Sequence, residues 1–384
     1  MFNKFIFNFA LLILFSINQA SSREIRSNYN NNFVSPFTIL EAIENSGGVL
    51  SKNTKKWMKK WNQINLEDSS KFQFNELSGS TSINLKIQKI DLTDPKGYKA
   101  YGSFLTVNES GNPNSEIAYF NLAAILGVDR MFRPAIRYEL GPVASLAFMK
   151  LIKASSINGQ QRSGNKKRIL RAIHSGSPLL GCIKAKKSES TQSYESMTKS
   201  GRKSNGSLSP SDSIVKFIQA SKQQPISGDI VFLKKNYSGD ALELSREFSI
   251  LLTLDSIFGQ YDRFSGGNIT LEKDDLEMAH FVAVDNGGAE IVDSQYLVKK
   301  TVKLFSRYDR NVINKIQEFY QFLEYPSQPF LGYTSPEKII VDMGMYFLKS
   351  PAAYLSAIKA NIKILLNEVQ NNENRYGANA YFRD

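Results

Sequence analysis

The chain has 384 residues, 42% of them hydrophobic and 22% charged, enough apolar material for a substantial core and too much for wholesale disorder or a coiled-coil rod. One cysteine, Cys182, allows no internal disulfide; with only His174 and His280 beside it, soft zinc ligands are too few, so chemistry must rest on carboxylates, hydroxyls, lysines and bound ions. The net charge of +12 is concentrated between Lys153 and Lys203, where twelve Lys or Arg face only Glu189 and Glu195, which argues against specific nucleic-acid binding by the rest of the body.

Met1 to Ser22 reads as a secretory signal peptide: Lys4 precedes the apolar run Phe5 to Ile17, and Ala20, Ser21 and Ser22 offer a cleavage site. The run is short for a membrane span. A polar linker follows (23–36), and folded sequence is expected from Phe37 onward. Sequons at Asn108, Asn205, Asn236 and Asn268 are compatible with a eukaryotic secretory route.

Ile83 to Ile90 and Tyr98 to Val107 are expected strands, separated by the turn Asp94-Pro95-Lys96-Gly97. Asn114 or Ser115 can cap a helix running to Leu126, with Gly127 ending it. From Ala154 to Ser213 the sequence is Ser-, Lys- and Gly-rich with little periodicity and reads as a long mobile insertion. Its Lys166-Lys167-Arg168 run suits an acidic surface or membrane. A strand over Asp229 to Leu233 and a helix from Gly239 to a stop at Gly259 come next. Helical patterns dominate from Val312 onward, notably Ala352 to Val369.

The chemistry concentrates in two neighbouring segments. Gln260-Tyr261-Asp262-Arg263 follows the Gly259 stop, and the apolar run Phe281 to Val284 ends in Asp285-Asn286-Gly287-Gly288. One aspartate at a helix exit and a second at a strand end suit phosphoryl transfer. The first takes the proton of an acceptor hydroxyl, and the second holds a divalent ion against nucleotide phosphates. Each segment is also an ordinary turn composition when taken alone.

Together these segments resemble the secretory-pathway atypical kinases, the family of the Golgi casein kinase and the proteoglycan xylose kinase. More distant likenesses are type II phosphatidylinositol kinases, actin-fragmin kinase and bacterial persistence-toxin kinases. The match runs through Gly259 to Arg263, Asp285 to Gly287, the stretch Ser115 to Phe120 with Ile125-Leu126-Gly127, and Leu304 to Arg307. It covers roughly residues 70 to 370 without the basic insertion.

The resemblance implies an α+β, two-lobed kinase-like fold over residues 37–384, β-rich first and helical after. It implies ATP and Mg or Mn as cofactors, Asp262 as base, Asp285 and Asn268 as metal ligands, and Glu116 as the helix carboxylate that positions a lysine. Gly79, Ser80 and Thr81 correspond to the phosphate-covering loop. The family's strand lysine aligns with Ser103, so Lys99, four residues away on the same strand face, is expected to substitute, with Lys86 and Lys89 as further candidates. The expected product is an exported kinase acting on a protein acceptor, or on a glycan or inositol lipid. The alternative is a pseudokinase scaffold, which the missing lysine favours and the two retained aspartates oppose.

Overall fold

The computed structural model describes residues 35–76, 83–106, 112–154, 160–176, 179–187, 191–194, 230–234, 236–264, 267–346 and 348–383. The leader, most of the polar linker, the Gly79-Ser80-Thr81 segment and residues 195–229 lie outside them.

Two short helices open the fold, α1 (Thr38–Asn45) and α2 (Lys52–Trp61). The Ser51 hydroxyl accepts from the Thr54 amide to start α2, whose Trp57 and Trp61, four apart, bury one face and leave the lysines outside. Strands β1 (Phe72–Glu76), β2 (Asn84–Ile90) and β3 (Tyr98–Thr106) form a meander, with a bulge where Gly102 and Ala100 face Ile87 and Gln88. Helix α3 (Pro113–Ile125) starts at the Asn112 cap, two or three residues before the expected cap at Asn114 or Ser115. All thirteen of its residues are buried, so it lies inside the molecule rather than on it.

Strand β4 (Ala135–Leu140), helices α4 (Pro142–Ala154) and α5 (Gln160–His174), and strand β5 (Leu179–Lys184) complete the first lobe. The sheet is antiparallel in the order β1-β2-β3-β5-β4, and α4 covers one face through Phe148, edge-on to Phe74 and Phe104. The basic segment is thus not an interruption over its first thirty residues. It supplies a helix and the fourth strand of a five-stranded sheet, because Leu179, Cys182 and Ile183 bury and its backbone satisfies both β3 and β4.

Strand β6 (Gln192–Ser193) joins the edge of a small second sheet, and β7 (Ile230–Lys234) with β8 (Tyr237–Asp240) forms a hairpin leading into α6 (Ala241–Phe258). The Asp240 carboxylate accepts from the Glu243 amide to cap α6, and Gly259 ends it at the expected residue. The second sheet has the order β10-β9-β6, with β9 (Ile269–Lys273) and β10 (Ala279–Ala283) as a hairpin. Helices α7 (Gln295–Thr301), α8 (Arg310–Glu324), α9 (Pro336–Asp342) and α10 (Pro351–Tyr376) finish the second lobe, with α10 packed on α6 to α9. One apolar cluster runs through both lobes, and α3 bridges them. None of the described helices is long and apolar enough to cross a membrane.

An ionic network buttresses the second lobe. The His280 ring lies 2.6 Å from Glu247 Oε1 and 3.0 Å from Asp274 Oδ2, and Arg130 bridges Glu243 and Glu247. Hydrogen bonding to Glu247 raises the imidazole pKa to about 9, so the ring is cationic at neutral pH with both N–H groups donating. Burial holds the Glu247 carboxyl above its usual range. Both shifts favour the protonated form in the native state. The His280 contribution is therefore complete below its unfolded pKa near 6.5 and fades as pH rises through 9. We expect the stability difference between wild type and His280→Gln, from denaturant titrations, to fall by roughly 2–3 kcal/mol between pH 6 and 10. A difference independent of pH would refute the network.

Candidate active site

Helix α3 presents Glu116 from its first turn. The Asn112 amide donates to the Gly287 carbonyl at 3.0 Å and the Ser115 hydroxyl to the Ala289 carbonyl at 2.9 Å, which fastens this helix end to the turn after β10. Glu116 is fully buried, and its Oε1 accepts from Lys184 Nζ at 2.7 Å. The same ammonium lies 3.7 Å from Asp285 Oδ1. Burial opposes the Lys184 charge, yet Glu116 and Asp285 outweigh it and leave the pKa raised. The ammonium is thus fixed and charged between helix and turn.

Lys184 is the cation that the sequence reading missed. It ends β5, directly opposite Ser103 in the β3–β5 register, so it projects from the face on which Ser103 stands. Lys99 does not take that role: it is 61% exposed and paired at 2.6 Å with Asp91 beside the β2–β3 turn. Gly102, at φ 155°, lets the strands close up here, since a Cβ would sit 2.6 Å from the Lys184 carbonyl oxygen.

Asp262 follows the α6 stop. Its amide donates to Gln260 Oε1 at 3.0 Å, and Asn268 Nδ2 donates to its carbonyl at 2.7 Å. Gly288 packs directly on it: a Cβ there would lie 2.7 Å from both Asp262 Cβ and Gln260 Oε1. The expected pair is therefore brought together, with Asp262 against the turn that begins at Asp285. Asp285 has φ 57° and a side chain 53% exposed, turning its carboxylate outward instead of into the core.

Arg263 locks these parts. Fully buried, it grips both Asp255 oxygens from α6 with bonds of 2.9–3.2 Å and donates to Asn268 O, Val284 O and Asn286 Oδ1. Tyr119 of α3 donates to the same Asp255, so the helix carrying Glu116 shares the anchor. The second residue of the Asp262-Arg263 dipeptide is structural.

A divalent ion suits this donor set. Glu116 Oε2 is buried without a hydrogen-bond partner among the described residues, the Asp285 carboxylate opens outward, and Asn268 is adjacent. Oxygen donors of this kind match Mg or Mn. The carboxylate–imidazole group of Glu243, Glu247 and His280 lies elsewhere and is already satisfied by Arg130 and its own hydrogen bonds. Cys182, buried with its thiol pKa pushed up by burial, is chemically inert.

The fold is similar to that of solved secretory-pathway kinases. The structure matches the Golgi casein kinase solved with Mn/ADP bound (TM-score 0.53, 10% identity, 92% of this chain and 90% of that one). It also matches hydra Fam20 solved with sugar (TM-score 0.52, 11% identity, 88% and 94%). No protein-family model and no curated protein matches the sequence.

Proposed function

We propose that the chain is an exported phosphotransferase that moves the terminal phosphoryl group of ATP, with Mg or Mn, to a hydroxyl acceptor. The observation that carries this reading is the Lys184–Glu116 pair beside Asp285, with Asp262 packed against the same turn. Lys184 offers a fixed cation to nucleotide phosphates. Asp285, Glu116 and Asn268 would hold the ion, which when bound neutralises phosphate charge. Asp262 accepts the proton of the acceptor hydroxyl as its oxygen attacks the γ-phosphorus, and ADP leaves with the electron pair of the broken P–O bond.

Lys184 removes the main argument for a pseudokinase, which rested on a missing lysine. Support for a nucleotide with manganese comes from the Golgi casein kinase, solved with both. A protein acceptor remains our reading over a glycan or inositol lipid, and export rests on the leader Met1 to Ser22.

ADP with Mg or Mn is expected to raise the melting temperature, since ligand binding to the native state shifts the folding equilibrium. Asp285→Ala should abolish most of that rise. An equal rise in the variant would remove Asp285 from the metal site.

A further inference from the structure

Two exposed side chains border Asp262 and are not used in the arrangement above. An antiparallel bridge joins Gln260 to Ala289. Beside it the Tyr261 amide donates to the Gly288 carbonyl at 3.4 Å and the Glu290 amide to the Gly259 carbonyl at 3.5 Å. Side chains alternate about such a bridge: Gln260 and Ala289 are buried, and the next residue on each segment, Tyr261 and Glu290, is exposed. Tyr261, 51% exposed, thus stands at the surface one residue before the proposed base, with Glu290 on the neighbouring segment. A tyrosine in this place offers an apolar ring with a polar tip to a bound chain.

The charge on this face has one sign. From Asp285 to Val298 the sequence holds Asp285, Glu290 and Asp293 and no Lys or Arg. Burial, then Asp262, Glu290 and Asp285, raises the Tyr261 phenol pKa, so these carboxylates act together on the ring. The cations of the site are committed, Lys184 to Glu116 and Arg263 to Asp255, and no ion pair among the described residues engages Glu290. Gln260 is an independent sign of a ligand. It is 5% exposed, its Oε1 accepts from the Asp262 amide, and its Nε2 is buried without a partner among the described residues. A donor left open beside the base suits an oxygen of the acceptor.

We propose that Tyr261 and Glu290 select the acceptor: the face beside Asp262 takes a polypeptide segment whose hydroxyl residue is flanked by Lys or Arg, with the stem of that cation on the Tyr261 ring and its charge against Glu290. The inference rests on Asp262 as the base and names the acceptor class for that site. A divalent ion at Asp285 would cancel charge there, which leaves Glu290 as the counter-ion for the acceptor.

The probes are two peptides with one central serine, flanked by lysines in the first and by glutamates in the second. Each is titrated calorimetrically into the full chain with Mg·ADP, and each is offered as acceptor with radiolabelled ATP. The lysine peptide should bind about tenfold more tightly than the glutamate peptide. Glu290→Lys should reverse that order. Tyr261→Ala should weaken the lysine peptide severalfold, and Tyr261→Phe, which keeps the ring, should restore it. Equal affinity for the two peptides, no binding of either below about millimolar concentration, or an order unchanged in Glu290→Lys would overturn the proposal. Transfer to both peptides with equal KM would overturn it too, while leaving phosphoryl transfer in place. Binding in the expected order without transfer or ATP turnover would support the acceptor face and remove the catalytic reading instead.

Discussion

Asp262→Ala is expected to reduce phosphoryl transfer by roughly 10²–10⁴-fold while leaving ATP affinity nearly unchanged. A base that takes the acceptor proton contributes in the transition state far more than in nucleotide binding. The geometry favours this separation, because Asp262 is held by Gln260 and Asn268 and does not pair with Lys184. The assay uses radiolabelled ATP with acidic proteins, glycans and inositol lipids, and includes autophosphorylation. Equal loss of affinity and transfer would instead make Asp262 part of nucleotide binding.

The largest stability effect is expected at Arg263. Replacing it with alanine strands the Asp255 carboxylate in the core and frees the carbonyls of Asn268 and Val284, at a cost of about 3–5 kcal/mol. The melting temperature should fall by on the order of 10 °C. Arg263→Lys keeps the charge but cannot reproduce the forked contacts, so it should lie between alanine and wild type. A melting temperature within a degree or two of wild type for Arg263→Ala would show that the loop is held by other contacts.

Where a residue's place in the fold follows from short-range pattern, sequence and structure agree. Asp262 and Asp285 stand at turns announced by Gly259 and by Asn286-Gly287-Gly288, and Glu116 lies in the first turn of a helix that the sequence shows, although its cap is Asn112 rather than Asn114 or Ser115. Lys184 is different, because its position follows from which strand pairs with β3. Sixty-eight residues separate it from Glu116, and it comes after the glutamate helix in the chain. The apolar run Leu179 to Ile183 is short and sits between polar, serine-rich flanks that read as insertion. Helix α5 was obscured for a related reason: sparse apolar residues such as Ile169 suffice once α4 packs beside it. The face shared by Tyr261 and Glu290 could not be read at all, since Gln260 and Ala289 meet only through tertiary packing.

The proposed activity depends on Lys184 as the phosphate-facing cation. Its most direct test is a titration of Mg·ATP into wild type, Lys184→Ala and Lys99→Ala. A charge-assisted phosphate contact is worth roughly 1.5–3 kcal/mol, so Lys184→Ala should bind at least tenfold more weakly, with Lys99→Ala indistinguishable from wild type. Because Lys184→Ala also leaves Glu116 buried without its partner, Lys184→Arg, which keeps the charge, should retain part of the affinity. Wild-type affinity in Lys184→Ala, or a loss confined to Lys99→Ala, would contradict the assignment.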